Sequence, residues 1–228
     1  MIHMRNICKT YDTGAVALDN VNIDIAKGEF VFIVGASGAG KSTFIKMLFR
    51  EELPTSGKLL VNGHDVINMD RKEVPYLRRG LGVIFQDYRL LLDKTVFENV
   101  AFAMQVIEAP RRIMQRSVNA VLDVVGLRDK YRSFPSQLSG GEQQRVAIAR
   151  AIVNDPAIVI ADEPTGNLDP ETSWEIMDIF QRINKAGTTI VMATHDRNIV
   201  DAMKKRVIAI EDGRIVRDQL RGGYGYEA

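Results

Sequence analysis

The stretch "FVFIVGASGAGKST", Phe30–Thr43, decides how the rest of the chain is interpreted. Its first half is a continuous apolar run, typical of a fully buried strand. From Gly35 to Ser42 it matches the pattern G-x-x-x-x-G-K-[S/T] and leads into the helical sequence "KSTFIKMLF". Glycines allow a tight turn whose backbone N–H groups face an anion, and the start of a helix adds partial positive charge. The sequence therefore predicts a phosphate-binding loop at Gly35–Thr43, here called the phosphate loop.

Charged side chains in and beyond this loop suggest nucleotide chemistry. Lys41 would reach the β- and γ-phosphates, and the Ser42 hydroxyl would bind Mg²⁺. The apolar run "IVIADEP" ends in Asp162 and Glu163, whose burial is costly unless a cation or a reaction uses them. We interpret Asp162 as a Mg²⁺ ligand acting through water and Glu163 as the base that orients the attacking water. The alternatives are an incidental glycine-rich turn and two acids that face solvent.

Three further residues are candidates because of where they lie. His195 follows the run "TTIVMAT" and Gln86 follows "LGVIF", and the ends of such strands line the ligand crevice of an open α/β sheet. His195 could donate to the γ-phosphate, while the Gln86 amide oxygen could complete the metal shell and sense the γ-phosphate. The ring of Tyr11, in "TYDTGAV", could stack on adenine. The alternatives are solvated strand ends and an ordinary tyrosine.

The remaining pattern predicts an α/β fold. "VNIDI" alternates like a half-exposed strand, "AIVIAD" and "TTIVMATH" are apolar strand runs, and "RVIAIEDGRIV" indicates a hairpin that turns at Asp212-Gly213. Helices are expected after Gly40, Gly141 and Pro170. The pattern favours a sheet with an antiparallel strand group near the N-terminus and a helical insert between Gln86 and Pro156.

This organisation predicts a single domain over residues 1–228. Residues 1–85 and 157–228 would form the ATP-binding core, and residues 86–156, with helical sequences such as "RRIMQRSVNAVLDVVGL", would form an inserted helical subdomain. The glycine-rich end "RGGYGYEA", residues 221–228, is expected to be a flexible tail.

Composition limits the possible classes of function. The chain has 228 residues, 46% hydrophobic and 26% charged, which is ordinary for a soluble globular protein. Its net charge of +1 gives no basic footprint for nucleic acid. The single cysteine, Cys8, forms no internal disulfide, which suits a reducing cytosol. Its apolar runs are too short to span a bilayer, so another chain would have to hold this one at a membrane.

A second anion site is predicted at "LSGGEQQR", Leu138–Arg145. Ser139 and the amides of Gly140 and Gly141 precede a helix, and a helix N-terminus favours anions. The phosphate loop already supplies one cradle, so the second needs a different explanation.

Together these motifs resemble those of an ABC-type ATPase over nearly the whole chain. In chain order they are Tyr11, the phosphate loop, Gln86, "LSGGEQ" at Leu138–Gln143, Asp162 with Glu163, "GNLD" at Gly166–Asp169, and His195. The resemblance implies a P-loop (RecA-like) ABC ATPase core with an N-terminal antiparallel β group and an inserted α-helical subdomain. It also implies ATP and Mg²⁺ as cofactors, and hydrolysis of ATP to ADP and phosphate.

The resemblance also implies four groups of site residues. The catalytic group is Glu163, His195, Lys41 and Gln86. The nucleotide-binding group is Tyr11, Val16, Gly35, Ser37, Gly38, Ala39, Gly40, Lys41, Ser42 and Thr43. The metal-binding group is Ser42, Gln86 and Asp162. The group that would bind ATP on a facing subunit is Ser139, Gly140, Gly141, Gln143 and Asp169.

This last group explains the second anion site. In the family it caps the γ-phosphate bound on a facing subunit, since one chain cannot easily fold it onto its own phosphate loop. Two chains placed head to tail would form a closed homodimer around two ATP molecules.

Within the family the resemblance is closest to ATPases of bacterial cell division, through "FQDYRLLLDKTVFENVAFAMQVIE", "VGLRDKYRSFPSQLSGGEQQRVAIARAIV", "ADEPTGNLDPETSWEIM" and "GYGYEA". It implies a cytoplasmic position at the membrane beside an integral-membrane subunit. We expect the segment Gln86–Phe97, with its apolar side chains Tyr88, Leu90, Leu91 and Leu92, to form a groove for a short helix of that subunit. Alternatively, the leucines of that segment pack under the helical insert. Lipoprotein-releasing and macrolide-export ATPases share "ADEPTGNLD" and remain an alternative function. A DNA-maintenance ATPase is disfavoured, because long heptad arms and a basic face are both lacking.

Overall fold

The computed structural model of the protein describes residues 1–225. Its strands in that range are β1 Ile2–Thr10, β2 Val16–Ile25, β3 Phe30–Val34, β4 Ser56–Val61, β5 His64–Asp65, β6 Leu81–Ile84, β7 Ile158–Asp162, β8 Thr189–Ala193, β9 Arg206–Glu211 and β10 Arg214–Gln219. Its α-helices are α1 Lys41–Leu48, α2 Val74–Arg79, α3 Val96–Gln105, α4 Arg111–Val124, α5 Gly140–Ile152, α6 Pro170–Lys185 and α7 Arg197–Met203. The predicted α/β class is confirmed, with α5 beginning two residues earlier than expected.

A six-stranded sheet forms the centre of the fold, in the order β10-β9-β3-β8-β7-β6. Strands β9, β3, β8, β7 and β6 are parallel to their neighbours, and β10 pairs antiparallel with β9. The hairpin between β9 and β10 turns at Asp212 and Gly213, both with left-handed backbone (φ 46° and 77°), as its sequence predicts. Strands β3 and β8 are buried along their whole length, because packed elements cover both faces of the sheet.

The two faces of this sheet form two separate cores. Successive side chains of a strand point to opposite faces, so Phe30, Phe32 and Val34 of β3 enter one core while Val31 and Ile33 enter the other. The first core includes apolar side chains of α3, α4, α5, α6 and α7. The second includes α1 and the antiparallel strands. The sheet is therefore enclosed on both sides, which fixes the loops at its edges.

The predicted antiparallel group near the N-terminus is a four-stranded sheet in the order β2-β1-β4-β5. Helix α1 contacts β2 of this sheet and β7 and β8 of the central sheet, so it lies between the two sheets. Cys8 lies in β1, as expected of a strand residue, and its sulfur accepts a hydrogen bond from the Asn20 amide at 3.3 Å.

Residues 86–156 contain α3, α4 and α5 and no strand. Helix α4 matches a predicted helical stretch, and α3 begins at Val96, inside the segment Gln86–Phe97. The division into residues 1–85 and 157–228 against 86–156 stays a prediction.

The predicted flexible tail, residues 221–228, lies only partly within the described residues. Residues 221–225 run beside α7 without regular structure, and the Gly222 amide donates to the Lys205 carbonyl at 3.1 Å. Residues 226–228 lie outside the described range. Within residues 1–225, no helix has both the length and the apolar character needed to cross a membrane.

Candidate active site

Four parts of the predicted site lie at one edge of the central sheet. The phosphate loop follows β3, Gln86 follows β6, Glu163 follows β7 and His195 follows β8. Because these strands are parallel, their carboxyl ends meet at the same edge. There they line one cavity of about 770 Å³, here called the central cavity, whose walls are Tyr11, Ala15, Val16, Ala17, Gly35, Ala36, Ser37, Gly38, Gly40, Lys41, Ser42, Thr43, Gln86, Glu163, His195 and Tyr224.

Geometry explains why two positions of the phosphate loop are glycines. Gly35 has φ of +149°, and a Cβ there would lie 2.2 Å from the Ile210 carbonyl oxygen. Gly40 has φ of +109°, and its Cβ would lie 2.3 Å from the Ala17 carbonyl oxygen. Larger residues would collide with fixed backbone at both positions and would also be strained. The loop thus keeps its cradle shape because both positions lack a side chain, and that shape suits a phosphate.

Lys41 is held inside the phosphate loop. Its side chain is largely buried, and its amine donates to the carbonyl oxygens of Gly35 at 2.8 Å and Ala36 at 2.9 Å. A buried ammonium must have such partners. This places a positive charge in the wall of the cavity, where a phosphate oxygen could replace a carbonyl as its acceptor.

Within residues 1–225, every residue of the predicted nucleotide-binding group lines the central cavity except Ala39. Its side chain is buried, its amide donates to the Ala36 carbonyl and its carbonyl accepts from Gly213. It therefore stabilises the loop from behind. Ala36, which is not in the predicted group, lines the cavity instead.

Ser42, Gln86 and Asp162 line a smaller cavity beside the central one. Burial, followed by the nearby charge of Glu163, raises the pKa of the Asp162 carboxyl, while a hydrogen bond with Ser42 opposes that shift. Hydroxyl, amide and carboxylate oxygens are the donors that Mg²⁺ prefers. These side chains therefore fit the predicted metal.

Glu163 is held in an unusual conformation beside His195. Its backbone is left-handed, with φ of 48°, and its amide donates to the Ala193 carbonyl at 2.9 Å. Its carboxylate oxygen Oε2 lies 2.8 Å from Nδ1 of His195. Strained non-glycine backbone of this kind concentrates at functional sites. A Cβ on Gly166 would lie 3.4 Å from that carboxylate and 3.5 Å from the Gln86 amide nitrogen, so Glu163 and Gln86 approach each other across this glycine.

Tyr11 and Val16 also line the central cavity. The Tyr11 hydroxyl lies 3.0 Å from the Thr43 hydroxyl, which fixes the ring against the start of α1. The Lys9 amine lies 4.9 Å from the ring centroid, and Val16 is 58% exposed. An exposed apolar side chain beside a fixed ring is a suitable wall for a flat heterocycle.

The second predicted anion site is built but lies elsewhere. Ser139 caps α5, its hydroxyl accepting from the Glu142 amide at 3.3 Å while its own amide donates to Glu142 at 2.8 Å. The Gln143 amide donates to the carbonyls of Pro135 and Leu138, both at 3.2 Å. Over residues 1–225, nothing from Leu138–Arg145 lines the central cavity. A single chain therefore does not bring its two anion sites together.

Gly141 and Asp169 also have roles within the chain. A Cβ on Gly141 would lie 2.4 Å from Cγ2 of Thr172, so this glycine permits the close approach of α5 and α6. Asp169 caps α6 and accepts from the Thr172 amide at 2.9 Å and its hydroxyl at 2.6 Å. These bonds lower the pKa of the Asp169 carboxyl. Any contact that these residues make to a second subunit would be added to these roles.

Comparison with known proteins agrees with this geometry. Residues 18–166 match the family described as "ABC transporter". The chain belongs to the ABC family of ATPases. It is 59% identical to "Cell division ATP-binding protein FtsE" of Bacillus subtilis (strain 168), over 99% of both chains. It is 58% identical to the protein of the same name in Streptococcus pneumoniae serotype 2, over 100% of this chain and 99% of the relative.

A solved ABC structure has the same fold. "Dimeric structure of a post-hydrolysis state of the ATP-binding cassette MJ0796 bound to ADP and Pi" superposes with a TM-score of 0.87 at 36% identity, covering 98% of this chain and 100% of that one. The resemblance stated from the motifs is thereby confirmed, and with it the ability to bind and hydrolyse ATP.

In this ABC ATPase, the segment Gln86–Phe97 has an irregular backbone up to the start of α3, and α5 holds that part in place. Tyr88 and Arg89 are both left-handed, with φ of 58° and 47°. Arg150 of α5 donates to their carbonyls at 2.7 Å and 2.6 Å, and burial lowers the pKa of its guanidinium. A paired donor fork of this kind gives a rigid attachment.

Asn99 of α3 stabilises the rest of the same segment. It is fully buried, its amide oxygen accepts from the Leu91 amide at 2.8 Å, and its amide nitrogen donates to Leu91, Lys94 and Thr95 carbonyls at 3.0 Å. Of the predicted apolar contacts, Leu90 packs against the first core, as the alternative interpretation expected. Leu92 points outward and is 73% exposed.

Proposed function

We propose that this ABC ATPase works in bacterial cell division, as the ATP-hydrolysing subunit beside an FtsX-like integral-membrane protein at the cytoplasmic face of the membrane. The observation that carries the proposal is the full-length similarity to proteins named FtsE, together with the converged ATP site. ATP-driven motion of the membrane partner would regulate septal peptidoglycan hydrolysis. Lipoprotein-releasing or macrolide-export ATPases would share the chemistry, but the FtsE relatives favour cell division.

Within the site, each residue has a proposed role. Tyr11 and Val16 face the adenine, and the phosphate loop with Lys41 binds the phosphates. Glu163 takes the proton of the attacking water, and His195, paired with Glu163 at 2.8 Å, donates to the γ-phosphate. A positioned base of this kind contributes about 10²–10⁴-fold in rate.

Ser42, Gln86 and Asp162 would hold Mg²⁺, since they supply three oxygen donors around one cavity. Held by these three residues, Mg²⁺ would supply stabilisation of the negative charge on the phosphate oxygens. Gln86 also begins the segment that would meet the partner, so it links the nucleotide to that segment.

The active form would be a homodimer with composite sites. Ser139, Gly140, Gly141, Gln143 and Asp169 of one chain would face the ATP on the other. Two observations support this: over residues 1–225 none of these five residues lines the central cavity of its own chain, and the fold is similar to a dimeric cassette structure.

The test of the chemistry is Glu163→Gln, which removes the charge but keeps the size of the side chain. We expect ATP to bind with little change in affinity, while single-turnover hydrolysis falls by at least about 10²-fold. Lys41→Ala serves as the contrast and should weaken nucleotide binding itself. Wild-type hydrolysis by Glu163→Gln would refute the assignment of the base.

The test of the partner site uses the segment Gln86–Phe97. Leu92 is the best position there, because it is 73% exposed and we expect its replacement to leave the fold unchanged. We expect Leu92→Asp to abolish co-purification of the membrane subunit and to cause filamentous cells. Leu220→Asp is the matched control, since Leu220 is 75% exposed but lies beyond β10. If Leu92→Asp still binds its partner, the groove lies elsewhere.

A further inference from the structure

The C-terminal residues Arg221–Gly225, here called the strap, connect the end of the central sheet to its ligand-binding edge. The strap begins beside Lys205, at the start of β9, where the Gly222 amide bonds to the Lys205 carbonyl. It then follows α7 and reaches the central cavity, which the side chain of Tyr224 helps to line.

The backbone at Tyr224 is fixed from two elements. Its amide donates to the carboxylate of Asp201, in α7. Its carbonyl accepts from the Arg217 guanidinium of β10 at 2.7 Å, and the same guanidinium also donates to the Gly225 carbonyl. Bonds to charged groups are stronger than neutral ones, so the strap ties α7 to β10.

The ring of Tyr224 contributes a third tie. The Arg197 guanidinium, at the first residue of α7, lies 5.1 Å from the ring centroid. The ring also packs against the first hydrophobic core. Tyr224 thus contacts α7 at its beginning and, through Asp201, along its length.

Helix α7 needs such support because it is short. It has seven residues, of which Ile199 and Val200 are buried, and so short a helix has little stability of its own. His195 lies just before it. Asp196, between them, caps the helix by accepting from the Ile199 amide at 3.1 Å. Any shift of the first turn of α7 therefore moves His195, whose side chain is 61% exposed and is held by Glu163.

We propose that Tyr224 is a positioning residue for ATP hydrolysis, which holds the first turn of α7 and thereby keeps His195 at the phosphate end of the central cavity. The inference rests on the proposed role of His195. Tyr224 acts through its ring and backbone, since its contacts with Arg197, Asp201 and Arg217 use those groups and not its hydroxyl.

The experiment measures kcat and KM for ATP with the purified full-length chain. We expect Tyr224→Ala to lower kcat about 10-fold or more, because misplacing a reacting group by 1 Å can cost about 10²-fold. KM should change by less than about twofold, because the phosphate loop is untouched. Tyr224→Phe should retain nearly full kcat. A purely structural role would not separate kcat from KM in this way.

The matched control is Tyr76→Ala. Tyr76 also lies under an arginine, with the Arg79 guanidinium 5.2 Å from its ring, but it belongs to α2 and does not line the central cavity. Its replacement should leave kcat unchanged. Asp201→Ala is the second variant. It removes the acceptor of the Tyr224 amide without changing the sequence of the strap. If Tyr224→Ala does not fold, Asp201→Ala tests the positioning role in its place.

His195→Ala distinguishes a wrong role for His195 from a wrong role for Tyr224. If His195→Ala hydrolyses ATP normally, the proposed role of His195 is wrong. If His195→Ala is impaired while Tyr224→Ala and Asp201→Ala keep wild-type kcat, the positioning role of Tyr224 is refuted. Equal losses in Tyr224→Phe and Tyr224→Ala would also refute it, since they would assign the effect to the hydroxyl.

Discussion

Replacing Gly141 by alanine tests why the "LSGGEQ" stretch contains its second glycine. The added methyl would lie 2.4 Å from Cγ2 of Thr172, about 1 Å short of the 3.4 Å at which ordinary contact begins. Since Gly141 does not have positive φ, alanine is compatible with its backbone. Its effect would therefore come from pushing α5 and α6 apart.

The expected magnitude follows from that displacement. Overpacking of this kind costs about 1–3 kcal/mol, which corresponds to a fall in Tm of about 2–12 °C for a chain of this size. A displacement of 1 Å at Ser139 or Asp169 would reduce ATP hydrolysis by about 10²-fold if both meet the ATP of a facing subunit. Nucleotide binding should persist, because the phosphate loop lies outside this contact.

The decisive variant is Gly141→Ala combined with Thr172→Ser. Serine lacks Cγ2 but keeps the hydroxyl and amide that donate to Asp169, so the space is restored while the cap of α6 remains. We expect the double variant to recover Tm and hydrolysis towards those of Thr172→Ser alone. If it stays as inactive as Gly141→Ala, Gly141 is required by something other than α6, such as close approach of a phosphate.

Three further outcomes are expected. Asn99→Ala leaves the Leu91 amide and the Lys94 carbonyl without their side-chain partner, so the free energy of unfolding, measured with urea, should fall by about 2–4 kcal/mol. Asn68→Ala, at an exposed position, should change that free energy by less than about 0.5 kcal/mol. Mixing Ser139→Arg chains with Lys41→Ala chains leaves one composite site intact, so ATP-driven pairing, measured by crosslinking, should exceed that of either variant alone; no pairing in the mixture would contradict the trans arrangement. Gly40→Ala should abolish ATP binding, measured by fluorescent-nucleotide titration, because its Cβ would lie 2.3 Å from a backbone oxygen, and unchanged affinity would contradict that reasoning.

The sequence predicts the central sheet well because its strands are fully buried. A strand covered on both faces must be apolar throughout, so runs such as that of β3 are visible without other information. The polar residues that interrupt such runs at their ends, Glu163 and His195 among them, are equally visible. Since parallel strands share an edge, these residues could be placed at a common site before any geometry was known.

Features that depend on distant partners could not be predicted in this way. Tyr88 and Arg89 adopt left-handed backbone because Arg150, some sixty positions later, binds their carbonyls. Asn99 reads as an ordinary helix residue until its four bonds to the preceding loop are seen. Tyr224 lies in a glycine-rich end whose composition suggests flexibility, and its ordered position depends on contacts with α7 and β10.

Helix α5 joins three parts of the molecule that the motifs present as separate. Its first turn contacts Thr172 of α6 through Gly141, and farther along Arg145 pairs with Glu175 of the same helix at 3.1 Å. Near its other end, Arg150 binds the segment that begins at Gln86. A helix of this length spans about 20 Å and is stiff. Movement of that segment must therefore either break the bonds of Arg150 or carry α5, and with it the second anion site, along.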